Sequence, residues 1–370
     1  MKSATQNNQS PNNQPPNNLA TSSLRSLAPF LVFLAACLWG ILVVFVRAFG
    51  QADFKSMEIV TLRVYSSAIF LWLILIIDDR IGQLRSRKNR IVSKRKRTKN
   101  QIASQQNHAH SETTEQQSYT HSQPHQSRSF HLKDTWCFVG TGLVSIVFFS
   151  YCYFRNVEAS SAAVAGILMY TSPIFVTLLS AIFFKEKITK TKLLALVLAI
   201  IGCALVSGVA GGISDVSPLG ILLGLGSGIG YALYSIFGRF ALDKGYAPLM
   251  VTAMTFTFAC VGVLPFIDIV GLITRLANEP KYILLALAMG LIGSCTPFAL
   301  YTIGLRYMEA SKAAILATLE PIVTALVGTF LYKEPIDAFI IIGIVMVLVA
   351  GVLSSQGNQK IDTDQYKSTI

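Results

Sequence analysis

Residues 173–186 read PIFVTLLSAIFFKE and residues 321–334 read PIVTALVGTFLYKE, a separation of 148 positions. Upstream of each lies a second matching pair, Arg155-Asn156-Val157-Glu158-Ala159-Ser160 and Arg306-Tyr307-Met308-Glu309-Ala310-Ser311, separated by 151. Further upstream still, Trp39 and Arg47 are matched by Tyr231 and Arg239 at a separation of 192. Every one of these stretches lies at or within a long apolar run. Apolar composition alone does not reproduce Arg, Glu, Ala and Ser at one offset, then Pro-Ile and Lys-Glu-x-Ile at another, so the chain is a duplication. The drop in offset from 192 to 151 marks an insertion in the first copy alone.

The 370 residues are 52% hydrophobic and only 14% charged, against about a quarter charged in soluble proteins. A hydrocarbon core of roughly 30 Å takes about 20 helical residues to cross, and ten apolar runs are that long: 28–49, 57–77, 135–154, 161–184, 193–211, 217–238, 248–271, 282–305, 313–332 and 336–355. None alternates apolar and polar residues as a barrel strand does, and helices are the remaining solution in lipid. The expected fold is an all-α integral membrane protein. Residues 1–27, rich in Asn, Gln, Ser and Pro, read as a disordered N-terminal tail rather than a signal peptide, so the first span is expected to be uncleaved. The six cysteines, Cys37, Cys137, Cys152, Cys203, Cys260 and Cys295, show no paired metal or redox spacing and read as small packing residues.

The net charge of +12 is concentrated. Ten Lys and Arg residues crowd between Arg80 and Lys99, and Lys185, Lys187, Lys190 and Lys192 follow the fourth run. If the spans alternate, both segments lie on one side, and the positive-inside rule places that side and both termini in the cytoplasm. Beside a membrane span the basic run reads as a topology signal and a contact for anionic headgroups rather than as a nucleic-acid site. The same inserted loop, 79–134, holds all five histidines, His108, His110, His121, His125 and His131. Their spacing is irregular and the spans offer no His or Asp partners, so solvated low complexity is preferred to a metal site.

Five spans per copy is an odd number, so the second copy enters the membrane upside down. Ten helices as two inverted five-helix repeats form a common architecture of secondary transporters, with substrate held where the copies meet. The first repeat is placed at 28–211, the second at 217–355, and a cytoplasmic tail at 356–370.

The residues also resemble a known family, the EamA type of the drug/metabolite transporter superfamily, over about 28–355. The resemblance rests on Trp39-Gly40, Arg63, Pro173 with Lys185-Glu186, and Glu320-Pro321 with Lys333-Glu334. It implies a carrier in the bacterial inner membrane that exports or exchanges small metabolites such as amino acids through a central cavity lined by both repeats. The long insertion departs from the compact family pattern.

Ionisable side chains deep in a span are costly and usually functional or paired. Two stand out. Glu320 lies near the middle of the ninth span, and its counterpart at the 148 offset is Ser172, so the acid breaks the symmetry. It is a proton carrier or an anchor for a substrate amine, or else a kink residue bonded within the bundle. Arg63 is expected to be structural, its stem reaching toward the interface and orienting an adjacent helix, in preference to binding substrate. Arg155 with Glu158, and Arg306 with Glu309, read as helix-end pairs. Pro173, Pro297 and Pro321 each remove a helical hydrogen bond; the resulting breaks either line a cavity or merely aid packing. Trp39, Tyr151, Tyr170, Tyr231, Tyr234, Ser294 and Thr296 join Glu320 as candidate substrate contacts on the spans that the resemblance places around the cavity. Gly220, Gly224, Gly226, Gly228 and Gly230 follow no strand and read as close helix contact rather than a nucleotide loop.

The expected partners are a small-molecule substrate and the lipid bilayer. A homodimer is compatible with the pattern, and nucleic acid is not expected. No catalytic residue, cofactor or metal ligand is assigned. A metal exporter governed by the His-rich loop and a membrane-embedded enzyme are the alternative classes. Both lack clustered ligands or catalytic groups within the spans.

Overall fold

The structure, a computed structural model, describes residues 18–106, 130–208 and 217–367, with side chains for 24–83, 130–208 and 217–355. No strand occurs among the described residues. Among the described residues, nine segments are long and apolar enough to cross a membrane: α1 (Leu24–Gln51), α2 (Ser56–Gln83), α3 (Leu132–Ala159), α4 (Ala162–Phe184), α6 (Pro218–Asp243), α7 (Pro248–Phe266), α8 (Lys281–Tyr307), α9 (Ala310–Tyr332) and α10 (Ala338–Ser355). The remaining expected span is the 17-residue helix α5 (Lys190–Val206). Its length, roughly 25 Å at 1.5 Å per residue, is close to the hydrocarbon thickness.

Packing follows the duplication. Helix α1 lies against α8 and α9 of the other repeat, and its counterpart α6 lies against α3 and α4. Likewise α2 packs on α7 and α5 on α10, pairs that a two-fold exchange of the repeats maps onto themselves. At the α5–α10 contact, a Cβ on Gly202 would sit 2.8 Å from the carbonyl oxygen of Gly343, and a Cβ on Gly343 would sit 2.7 Å from that of Gly202. Small residues let the backbones approach this closely, which is how helices gain contact in lipid without a hydrophobic driving force between them. Large apolar side chains such as Ile182, Leu284 and Phe330 point outward, where lipid rather than water would meet them.

The local irregularities are duplicated too. Helix α4 is built of Ala162–Met169 and Ser172–Phe184, and α9 of Ala310–Ala317 and Glu320–Tyr332, with the breaks 148 residues apart. Pro173 and Pro321 occupy the first turn of each second half, where a missing N–H costs nothing. Both second halves end on a lysine in the left-handed conformation, Lys185 (φ 56°) and Lys333 (φ 57°). Wide π-helical turns occupy Gly140–Val147 of α3 and begin again 151 residues later at Leu291–Cys295 of α8.

Three expectations change. The helix of α1 begins at Asn18, so the stretch 18–27 is not irregular; residues 1–17 lie outside the described residues. The inserted segment is not a loop throughout: the helix of α2 runs unbroken from Ser56 to Gln106, because Asp79–Gln106 contains no Pro and only Gly82 to interrupt it. His108, His110, His121 and His125 lie outside the described residues. The last helix extends to Lys367, well into the expected tail.

Candidate functional site

The break in α9 places Glu320 at the first position of a half-helix, where the positive end of the helix dipole favours a negative charge. Its backbone is wedged against α1: a Cβ on Gly40 would lie 2.8 Å from the Glu320 carbonyl oxygen and 2.5 Å from Val323. Thr324 donates to the Glu320 carbonyl at 3.2 Å. On the other side of the break, the Cys203 thiol of α5 donates to the Thr318 carbonyl at 3.7 Å, so this cysteine is more than packing. The carboxylate itself accepts one bond, from the Tyr231 hydroxyl of α6 at 3.3 Å.

Aromatic rings enclose that pair. Trp39 meets Tyr231, Phe298 and Tyr301 at centroid distances of 6.3, 5.0 and 5.4 Å, and Phe149 of α3 meets Tyr231 at 5.4 Å. Tyr153 and Tyr170 lie within electrostatic reach of Glu320. Beneath them Tyr234 bonds Thr302 at 2.7 Å and Tyr301 bonds Ser235 at 2.7 Å, a buried polar layer whose groups are all paired.

Arg63 departs from its expected direction. Rather than reaching toward the interface, it lies within electrostatic reach of Glu320 and Tyr231. Its guanidinium donates to Ser150 of α3 at 3.4 Å, and its buried Nε has no partner. An acid and a base therefore face one aromatic-lined region, each held by a single long hydrogen bond.

Of the other expected contacts, Trp39, Tyr170, Tyr231 and Tyr234 belong to this region, with Tyr234 in its lower layer. Ser294 is buried in the wide turn of α8 with an unpartnered hydroxyl, and Thr296 follows it half-buried. Tyr151 does not belong: it is half-exposed and packs on Phe266 at 5.2 Å. Tyr153 and Phe149 take the place expected for it. Pro173 and Pro321 mark true breaks, whereas Pro297 follows a wide turn and the helix continues through it. Gly224 and Gly228 press on the first half of α4, where a Cβ would lie 2.2 Å from Leu168 Cδ1 and 2.9 Å from its carbonyl oxygen, respectively, and Gly230 presses on Phe149. Arg155 pairs with Glu158 as expected, but Glu309 pairs instead with Lys192 and Lys312, both at 3.2 Å. Among the described residues no group of three or more His, Cys, Asp or Glu is arranged to hold a metal ion.

A duplicated bundle of apolar helices with matched breaks and an ionisable group at one of them is the architecture of a multi-pass membrane carrier. The EamA-like transporter family matches residues 120–208 and 218–356, and the chain belongs to it. The protein is similar to an uncharacterized transporter of Archaeoglobus fulgidus, 30% identical over 203 residues that make up 54% of this chain and 69% of the relative. It is also similar to an uncharacterized transporter of Bacillus subtilis, 28% identical over 234 residues, 61% of this chain and 74% of the relative. A solved protein crystal structure shares the fold with a TM-score of 0.63 at 12% identity, covering 91% of this chain and 99% of that one.

Proposed function

We propose that this membrane transporter carries small organic zwitterions, amino acids among them, across the cytoplasmic membrane by alternating access, with both termini in the cytoplasm. The observation that carries the substrate class is that Arg63 and Glu320 lie within electrostatic reach of one another while each bonds a different neighbour. Opposite charges in a region of low dielectric attract strongly, yet each has only one long hydrogen bond and the Arg63 Nε has none. A ligand bearing a carboxylate and an ammonium would satisfy both groups at once, and the rings of Trp39, Phe149 and Tyr231 would cover its apolar part. The two inverted halves would exchange conformations around that ligand. Glu320, close to the break, is the group proposed to carry a proton or to hold the substrate amine.

Counterflow in proteoliposomes tests this reading. Radiolabelled amino acids are offered against unlabelled competitors: intact amino acids, their decarboxylated amines and their deaminated acids. Competition by the intact zwitterions alone is the expected result. Equal competition by the amines and acids would remove the two-charge recognition.

A further inference from the structure

The two faces of the bundle are in different states, and symmetry-related residues show it. At the face where α4 ends and α9 begins, the turn between α8 and α9 is gripped from two sides. Arg239 of α6 donates to the carbonyls of Leu305 and Met308 at 3.1 and 3.0 Å. Glu186 accepts from the amides of Ala310 and Ser311 at 2.8 and 3.3 Å and from the Ser311 hydroxyl. Lys192 reinforces the grip, at 3.7 Å from Glu186 and 3.2 Å from Glu309, and the side chains of Lys192 and Glu186 keep only 4% and 9% of their exposure.

The counterparts of Arg239 and Glu186 are Arg47, at the 192 offset, and Glu334, at the 148 offset. Five spans separate Glu186 from Glu334, so these counterparts lie at the opposite face. There they grip nothing across the bundle. Arg47 and Glu334 pair with one another at 2.7 Å, with 37% and 48% of their side chains exposed, and Arg47 rests on the ring of Tyr332. The turn they would hold by symmetry, between α3 and α4, is left with open groups. Ser160, the counterpart of Ser311, has a buried hydroxyl without a partner, and neither polar atom of fully buried Asn156 has one. Buried polar groups are ordinarily paired, so an orphaned set opposite a paired one marks contacts that belong to another arrangement.

We propose that these four side chains form two exchangeable clamps. In the present conformation Arg239 and Glu186 hold the α8–α9 turn closed. In the opposite-facing conformation Arg47 and Glu334 release one another and hold the α3–α4 turn, bonding the carbonyls of Phe154 and Val157, the hydroxyl of Ser160 and the free amides at the start of α4, while Arg239 and Glu186 let go. The free amides are available because the first N–H groups of any helix lack intrahelical partners. This inference rests on the reading of the protein as an alternating-access carrier and assigns which residues lock each end.

Distance measurements between nitroxide labels test it without knowledge of the substrate. The labels go on Glu158→Cys and Ile336→Cys, both at the Glu334 face, in full-length protein whose six native cysteines are replaced by alanine. The unmodified clamps should give a dominant long distance and a minor short one. Glu186→Gln should raise the short population relative to the long by about tenfold, the effect of weakening hydrogen bonds to a charge; Ser311→Ala, a milder change, should move it the same way. Glu334→Gln should abolish the short population while the protein stays monodisperse. Two populations whose ratio none of these variants alters would overturn the clamps alone. A single distance throughout would overturn the clamps together with the alternating-access reading.

Discussion

Glu320 and Arg63 set the chemistry at the smallest scale, and their weak bonding makes them separable by substitution. Glu320→Gln keeps the shape of the side chain and its capacity to bond Tyr231 but neither titrates nor carries charge. Transport should fall at least tenfold and lose its response to a pH gradient, while expression and melting temperature stay near those of the parent. Normal transport with an unchanged pH response would reduce Glu320 to a helix-break residue. Arg63→Gln should weaken uptake of zwitterionic amino acids by about tenfold or more, the cost of losing a charge-assisted bond, as read from KM in proteoliposomes. Glu320 was legible in the sequence because a lone acid in an apolar span is conspicuous. The direction of Arg63 was not, since a long side chain can turn toward the interface or the interior, and the packing of α2 against α3, α7 and α8 decides it.

At the scale of helices, the contact between α5 and α10 has no room to spare. Gly343→Val should lower the melting temperature in detergent, with roughly 1–3 kcal/mol of overpacking, because its new Cβ would meet the Gly202 carbonyl at 2.7 Å. Gly50→Ala, where nothing lies within 4 Å of the added atom, should leave it unchanged. Equal melting temperatures for the two would show that the helices separate at little cost. The breaks in α4 and α9 could be read from Pro173 and Pro321, because proline has one backbone reason to sit there. The wide turns in α3 and α8 could not, as no residue type marks a π-turn. They matter for the site: a widened turn changes which side chains face inward, and membership of a span did not reveal that Tyr153 rather than Tyr151 would come within electrostatic reach of Glu320. The reach of α2 to Gln106 was hidden for a related reason, since a charged helix outside lipid carries no apolar stripe to announce it.

For the whole molecule, the basic bias sets the expected orientation. Ser104→Cys and Ser122→Cys should resist impermeant thiol reagents in intact cells and react once the cells are opened; rapid labelling from outside would reverse it. Deleting residues 85–125 should leave assembly and transport largely intact, since this stretch has no counterpart in the second repeat; loss of the folded protein would make the extended α2 helix structural. The duplication itself is nearly complete in backbone, with matched breaks and matched wide turns, yet Ser172 stands where the second repeat has Glu320. That single difference sets a thermodynamic ceiling. Should Glu320 be the proton carrier, each molecule holds one such group and each turnover exchanges one proton through it. With no membrane potential, one pH unit is worth about 1.4 kcal/mol, so it could drive no more than about a tenfold concentration ratio of an uncharged cargo, whereas a carrier with the acid in both halves could square that ratio.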